Sequence, residues 1–431
     1  MTRTTESTRY RWYICAASFV GLLVCQSPAV FLSFGVFMKP LAAAFGWERG
    51  PMSLALSFCA ISLALVSPLA GSLVDRFGAR RVLLPSMISF GLLLASLYFL
   101  SGSLLQFYVL YILLGIVGAG ANNVAFMRVI TAWFGRLRGR ALGIASSGVA
   151  MGAAVLSFIA QLCINHFGWR AGYVGIAAVI LLIAVPIVAL VIRDRPADLG
   201  LQPEAGAGEL DRRVQVPLAE ILRRPIAWVL VLIGFLVAVS MHGSQIHMVP
   251  IMTDRGMSPL LAAGGMAFLM AVSSIIGRMG VGALFDYFFA PRVAIFAFLA
   301  AACGVVLMML SKAIWPCYVF AITMGLGSGA ESDVLGYLTS RYFGLRAFGR
   351  VYGMVFAGFM FGTALAPYFF GAIFDRTGNY QAALGVSAVL ILVLCLVLAL
   401  LPRFPALTSS VLEAPERAAP VAAVRATAPP A

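Results

Sequence analysis

One arginine stands in the middle of an apolar segment of this 431-residue chain. The stretch 273–286 reads SSIIGRMGVGALFD and holds Arg278 within an apolar run that begins near Leu260. A guanidinium keeps its proton at any ordinary pH, so the charge is permanent. Its planar fork of N–H donors matches a carboxylate bidentately. Ser274 lies one helical turn earlier on the same face and adds a hydroxyl to this candidate anion-binding group.

Two carboxylates, Glu331 and Asp333, occupy a second apolar segment. They are two residues apart, so on a helix they point about 200° away from each other. An acidic group inside a membrane is a candidate proton carrier. The alternative is structural, because either carboxylate can form an ion pair with Arg278 or with arginines near the helix end.

Polar side chains of a third segment complete the set of candidates. The stretch 241–250 reads MHGSQIHMVP, in which His242 and Gln245 share a helical face and His247 points elsewhere. We expect His242 and Gln245, with Asn122 of another segment, to shape a polar pocket for the ligand of Arg278. His247 joins the two carboxylates as a proton-coupling candidate, since histidine titrates near neutral pH. The alternative for each is a hydrogen bond to a neighbouring helix.

The composition indicates that these residues are positioned by membrane-spanning helices. The chain is 62% hydrophobic and 11% charged, which a soluble protein of this length cannot bury. Apolar runs of about 20 residues, enough to cross a bilayer as helix, recur along it. The predicted twelve spans are 12–38, 51–74, 81–101, 106–132, 139–164, 170–193, 226–253, 260–285, 292–311, 315–339, 348–374 and 381–401.

The net charge of +14 is explained by the placement of basic residues on one side of the membrane and does not indicate nucleic-acid binding. With the N-terminus placed in the cytoplasm, the tails and even-numbered loops carry 22 of the 30 Lys and Arg residues. This asymmetry is the positive-inside rule, which predicts that both termini are cytoplasmic. We expect a multi-pass protein of the cell (inner) membrane. All seven cysteines fall within spans without a CxxC pair, and no phosphate-binding loop is present, so we expect neither metal nor cofactor.

The chain contains two copies of one six-span template. GAGANN at 118–123 matches GSGAES at 327–332, an offset of 209 residues, and GSLVDRFGARR at 71–81 matches GALFDYFFAPR at 282–292 with an offset of 211. Nearly equal offsets at equivalent places indicate a duplication with parallel topology. The predicted domains are a first half (1–193), a cytoplasmic linker (194–225), a second half (226–403) and a disordered tail (404–431).

The loop between spans 2 and 3 carries the pattern G-x-L-x-D-R-x-G-x-R-R, which resembles the signature loop of the major facilitator superfamily. The resemblance implies an all-α membrane protein in which two six-helix halves surround a central cavity, and a gating role for this loop and its repeat. The residues concerned are Gly71, Asp75, Arg76, Gly78, Arg80, Gly282, Asp286 and Arg292.

Two further motifs resemble the monocarboxylate transporter and oxalate–formate antiporter branch of that superfamily. WFGRLRGRALGIASSG at 133–148 is similar to its span-5 signature, and the G-R-x-x-x-G-x-L-x-D pattern at 277–286 is similar to its span 8. There the arginine binds the substrate carboxylate, which implies the same role for Arg278. Ser274 stands where proton-coupled monocarboxylate transporters usually carry aspartate, and the lysine midway along their span 1 is absent here.

The sequence therefore predicts a monomeric secondary transporter that moves a small organic monoanion, coupled to protons or to anion exchange. The nearest alternative is efflux of drugs or of a neutral metabolite by proton antiport. A transporter-like receptor is disfavoured because the short loops leave little surface for a partner, and an enzyme is disfavoured because no catalytic cluster can be assembled across the spans.

Overall fold

The structure, a computed structural model, describes residues 2–121, 123–134, 137–201, 221–285 and 288–404. Its description excludes the side chains at 2–8, 68, 75, 123–124, 138–139, 282–283, 332–333 and 344–350. Two of the predicted residues, Asn122 and Asp286, therefore lie outside the described part. The side chains of Asp75 and Asp333 and the surroundings of Gly282 lie outside it as well. Most of the predicted linker, 202–220, and the tail from 405 onward also lie outside it.

The described part of the chain is helical and contains no strand. Six spans precede the linker. Span 1 comprises Thr2–Leu23, a π-helical turn Ser27–Leu32 and Phe34–Phe45, span 2 is Arg49–Phe77, and span 3 is Ala79–Ser96. Span 4 comprises Leu104–Gly118 and Asn123–Trp133, span 5 is Arg138–Phe167, and span 6 comprises Trp169–Ala178, a π-helical turn Val179–Ala184 and Val185–Val191.

The second half repeats this arrangement. Span 7 is Pro225–Ile246 with a short continuation Met248–Thr253; span 8 comprises a π-helical turn Leu261–Met266 and Ala267–Leu284; span 9 is Ala290–Leu310; spans 10 and 11 share one helix, Trp315–Thr377; and span 12 is Gln381–Ala399. Eleven helices of the described part are long and apolar enough to cross a membrane.

The helix shared by spans 10 and 11 is bent back on itself. At 1.5 Å per residue, its 63 residues would extend roughly 95 Å if straight. Cys317 near its start contacts Arg255, while Gly371 near its end packs on the backbone of Arg49, which pairs with Asp254. Both ends thus reach the same turn, so the helix supplies two crossings. The first crossing lacks the apolarity of the other eleven because it carries acidic and glycine residues.

Spans 8 and 10 approach each other closely through glycines. A Cβ atom added at Gly277 would lie 2.8 Å from Leu326 Cα, and one added at Gly329 would lie 2.7 Å from the backbone nitrogen of Arg278. Only a residue without a side chain fits at such distances. The close approach places the Arg278 segment directly against span 10.

The loop between spans 2 and 3 is fixed to the end of span 6. Gly78 has a φ of 90°, and its missing side chain leaves room for the Asp194 carboxylate. That carboxylate accepts a hydrogen bond of 2.8 Å from the backbone N–H of Arg80, while Arg80 Nη2 donates to the Ala189 carbonyl at 2.7 Å. Arg76 and Arg292 are exposed. The gating role of this motif stays a prediction.

The contact between spans 8 and 10 gives a first prediction. We expect Gly329→Ala to lower thermal stability, because the new Cβ would overlap the backbone of span 8 and overpacking costs about 1–3 kcal/mol. Gly336→Ala, on the same helix, is the matched control because its Cβ position meets nothing within 4 Å. The melting temperatures of both purified variants in detergent test this. Equal melting temperatures would contradict the packing described.

Candidate functional site

Arg278 lies half-buried where span 8 of the second half meets span 5 of the first. Its Nη1 donates a hydrogen bond of 2.5 Å to the hydroxyl of Ser146. The Ser146 hydroxyl in turn donates to the carbonyl of Gly143 at 3.2 Å. The predicted anion-binding arginine is therefore located at the boundary between the two halves.

Glu331 of span 10 lies within the electrostatic reach of Arg278. Its Oε2 atom is buried and has no hydrogen-bond partner in the described part of the chain. The backbone carbonyl of Ser274 faces Gly329, two residues before Glu331. The structure therefore brings Arg278 of span 8 and Glu331 of span 10 together and packs the backbone of Ser274 against span 10.

Two polar residues of span 7, Gln245 and His242, contact different neighbouring helices. Gln245 Nε2 donates to the hydroxyl of Ser328 on span 10. His242 faces span 11, where its ring packs edge to face on Phe359 with centroids 5.2 Å apart. The described contacts thus link Gln245, but not His242, to the span 10 side of the candidate site.

This arrangement combines a permanent cation, hydroxyl groups and a buried carboxyl oxygen. The cation and hydroxyls suit an anionic ligand, and the carboxyl group suits reversible protonation. Among the described residues, no three His, Cys, Asp or Glu side chains are grouped closely enough to hold a metal ion.

His247 lies in a different place, at the predicted outer end of span 7, and is fully buried. Its Nε2 is 3.0 Å from the Pro367 carbonyl and 3.3 Å from the Ser53 hydroxyl, and its Nδ1 is 2.9 Å from the Tyr380 hydroxyl. These partners belong to spans 11 and 2 and to the start of span 12. His247 therefore joins the two halves away from Arg278, and its proton-coupling role stays a prediction.

An ionic group, which we call the outer closure, is linked to His247 through Tyr380. Arg49 Nη1 is 3.1 Å from Asp254 Oδ2 and donates to the Tyr380 hydroxyl at 2.7 Å, while Lys39 Nζ is 2.6 Å from Asp254 Oδ1. The backbone N–H groups of Arg49 and Gly50 also donate to the Asp375 carboxylate. Each of these contacts pairs a donor of the first half with an acceptor of the second.

The Tyr380 hydroxyl, like that of any tyrosine, is protonated near neutral pH. It can therefore donate to His247 while it accepts from Arg49. This phenol links the histidine to the charged residues of the outer closure.

The outer closure joins the two halves at the predicted outer end of the bundle, where a Cβ added at Gly371 of span 11 would also lie 2.7 Å from the Arg49 backbone. The structure therefore represents a state in which the halves meet at the outer end.

Sequence reasoning did not identify Ser146 or Ser328 as site residues, nor the outer closure. Ser146 does lie in the span-5 motif, which is the signal that was available for it. Sequence reasoning assigned no role to Lys39 or Arg49 either. Their partner Asp254 is 205 residues from Arg49 in the chain, and no local pattern relates them.

Comparison with known proteins places the whole chain in one family. A sequence model of the Major Facilitator Superfamily matches residues 20–331 and 289–429. Bovine monocarboxylate transporter 13 is 26% identical over 407 residues, covering 91% of this chain and 89% of that protein. The Agnestins efflux protein AgnL12 of Paecilomyces divaricatus is also 26% identical, over 367 residues that cover 82% of this chain and 78% of that protein.

A solved structure shares the same fold. A bacterial homologue of the human lysosomal transporter Spinster, in an inward-facing and unoccupied conformation, superposes with a TM-score of 0.67 at 19% identity. The alignment covers 90% of this chain and 92% of that one. This likeness confirms the predicted all-α fold of two six-helix halves.

The second prediction compares the effects on thermal stability of replacing the two histidines of span 7. We expect His247→Ala to lower the melting temperature more than His242→Ala, because it leaves several buried polar partners unsatisfied at about 1–3 kcal/mol each. His242 bonds only to the Ala238 carbonyl of its own helix, at 3.3 Å, among its described hydrogen bonds. Thermal unfolding followed by tryptophan fluorescence makes the comparison. A greater loss for His242→Ala would refute the assigned contacts.

Proposed function

Because the chain belongs to the Major Facilitator Superfamily, we propose that it transports small organic monoanions, namely monocarboxylates, by alternating access. Two six-helix halves, residues 1–193 and 226–403, rock about a central site and expose it to one side of the membrane at a time. As a member of that superfamily the chain is a membrane transporter and not an enzyme. Its energy comes from a proton gradient or from exchange against another anion.

The observation that carries the proposal is the position of Arg278. A charged side chain at the middle of a span costs roughly 2.5–3.5 kcal/mol on insertion scales, so it is retained for a partner or a ligand. Here the guanidinium lies half-buried at the junction of the two halves, against a neutral hydroxyl of span 5. A carboxylate ligand would complement both its charge and its planar fork.

Glu331 supports coupling to protons. The carboxyl group is held on span 10 within reach of the charge on Arg278, and its buried Oε2 lacks a hydrogen-bond partner in the described part of the chain. A proton on Glu331 and an anion on Arg278 compensate each other's charge, so they favour simultaneous binding. In this scheme one anion and one proton move together, and exchange without protons is the other possible cycle.

The protein would act as a monomer in the cell (inner) membrane. Both termini would lie in the cytoplasm, as the distribution of basic residues predicts. The outer closure then lies on the non-cytoplasmic side. In this orientation the state described here admits the ligand from the cytoplasm.

Efflux of an amphipathic drug or of a neutral metabolite by proton antiport is the second candidate. It is favoured by the similarity to a fungal protein named as an efflux protein. The two candidates differ in their requirement for Arg278. In the efflux reading, lipophilic cations compete for transport and removal of Arg278 is tolerated.

The third prediction tests the anion site. We expect Arg278→Ala to reduce monocarboxylate uptake into proteoliposomes by about 30-fold or more, because loss of one partner from a hydrogen-bonded charge pair costs 2–5 kcal/mol. Arg278→Lys should also be poor, since an ammonium lacks the fork. Uptake is measured with a panel of acetate, pyruvate, lactate, malonate, oxalate and succinate.

Binding is measured in parallel on the purified protein. A ligand that binds the folded state raises the melting temperature by mass action. Monocarboxylates should stabilise the wild type and leave Arg278→Ala unchanged. Stabilisation of both proteins by lipophilic cations instead would favour efflux and contradict the anion proposal.

A fourth prediction concerns Glu331. We expect Glu331→Gln to abolish uptake driven by an inward proton gradient while retaining exchange of internal for external anion, because the amide cannot release a proton. Glu331→Asp keeps a carboxyl group and is the control for coupling. Proton-driven accumulation by the Gln variant would exclude Glu331 as the carrier, and a wild type insensitive to the gradient would assign the energy to exchange.

A further inference from the structure

His247 is hydrogen-bonded through both ring nitrogens, and the chemistry of its partners fixes where its proton lies. Its Nε2 is 3.0 Å from the Pro367 carbonyl, which can only accept, so Nε2 carries the proton. The Tyr380 hydroxyl accepts from Arg49 Nη1 at 2.7 Å, because a guanidinium only donates. The phenol proton is therefore directed to Nδ1 of His247, 2.9 Å away. The ring is thus neutral, with Nδ1 as an acceptor.

These bonds form a chain that joins the two halves twice. The chain begins at Arg49 in the first half and passes through Tyr380 to His247, which both belong to the second half. It returns to the first half at the Ser53 hydroxyl, 3.3 Å from Nε2. The ring is fully buried beneath these contacts. Opening of the outer end removes Arg49 and Ser53 together, because both lie on span 2, and it lets water reach His247 from that side.

A second proton on the His247 ring is incompatible with this chain. It would bind Nδ1, the atom that accepts from Tyr380. The phenol oxygen would then face two cationic donors, the imidazolium and Arg49, and its own proton would lose its acceptor. Arg49 also acts on the ring directly through its charge. Because like charges held this close in a buried place repel each other, protonation of His247 opposes the outer closure.

The carboxylates of the outer closure are occupied by other partners. Asp254 pairs with both Lys39 and Arg49, and Asp375 accepts from two backbone N–H groups at the start of span 2. Neither carboxylate is hydrogen-bonded to His247 in the described part of the chain. They therefore stabilise the cations of the first half and not a proton on the ring.

The other elements packed against the ring contribute uncharged groups. Span 11 provides the Pro367 carbonyl and the ring of Phe370, whose centroid lies 5.8 Å from that of His247. Span 1 approaches at Gly35, which packs on the carbonyl of Ile246. Among the described contacts of the ring, none supplies a negative charge that would compensate an imidazolium.

We propose that His247 is a proton-sensitive switch, which holds the outer closure together while its ring is neutral and releases it when Nδ1 binds a proton from the outer water. In the open state water reaches the ring, and a hydrated histidine titrates at about pH 6.5. Acidity on the outer side therefore favours the state that opens to that side. The switch requires no particular ligand, so it is independent of the anion proposed above.

The chain provides a matched control in another histidine. His166 is exposed at the end of span 5, on the same predicted outer side, and its ring packs on the neighbouring Phe167. His166→Gln therefore removes the same titrating group without touching the outer closure. His247→Gln and His247→Asn each retain a side chain that donates and accepts hydrogen bonds but cannot take up a proton near neutral pH. The melting temperatures of all three variants report whether they are folded.

The experiment measures the width of the outer end by double electron–electron resonance on the purified full-length protein, without added ligand. Spin labels are attached to ketone-bearing amino acids at Ala44 and Ala382, which are exposed at the outer ends of spans 1 and 12 and so belong to opposite halves. This chemistry leaves the seven native cysteines in place.

We expect the ratio of open to closed molecules to rise about tenfold between about pH 7.5 and about pH 5.5, the change for one proton bound at about pH 6.5 in the open state alone. His166→Gln should show the same rise. The two His247 variants should change by less than about twofold over this range, which lies above the pH at which aspartates ordinarily titrate.

Three results would overturn the switch: a wild type whose outer distance does not widen in acid, a folded His247 variant that keeps the tenfold rise, or the loss of the rise in His166→Gln. The second result would assign the proton to another group, and the third would assign it to the exposed histidine. A wild type that takes up no member of the carboxylate panel is a separate result, because it refutes the proposed function and leaves the distances unaffected.

Discussion

A permanent positive charge inside an apolar helix bundle is the constraint on which the site in the second half depends. Arg278 cannot lose its proton, so the surrounding helices have to supply polar contacts or a ligand. Glycines at 277 and 329 let span 10 come close enough to place Glu331 within its electrostatic reach. Span 5 supplies the hydroxyl of Ser146 from the other side. The charge thus lies where three helices and both halves meet.

The outer closure uses the same chemistry of cations and carboxylates for a different purpose. Lys39 and Arg49 belong to the first half, and their partners Asp254 and Asp375 belong to the second. Opening this end would separate every one of these pairs, so their combined strength biases the protein toward the state described. Such partly exposed pairs contribute about 0–1 kcal/mol each. A balance of this size favours one conformation without preventing the other.

Much of the fold could be predicted because the bilayer imposes a local rule. Backbone polar groups must bond within each helix, so apolar runs of fixed length become spans. The segment 315–339 was predicted as a span although it is less apolar than the others, and it is not among the eleven helices apolar enough to cross a membrane. The bend of its 63-residue helix indicates a separate crossing. Arg278 was recognised because a charge in such a run is costly. Ser146 was not, because a serine in a span is common and carries no cost that would mark it.

The sequence by itself predicted the membrane-spanning segments and a cation inside one of them, since each follows from residues close together in the chain, and it predicted the internal duplication by comparison of its own two halves. Only the tertiary structure decided which side chains meet. Arg49 and Asp375, which are 326 residues apart, and Arg278 and Ser146, which are 132 apart, are joined by helix packing between the two halves. The physical reason is that insertion into the membrane depends on the composition of each segment, whereas packing depends on the shapes of distant surfaces.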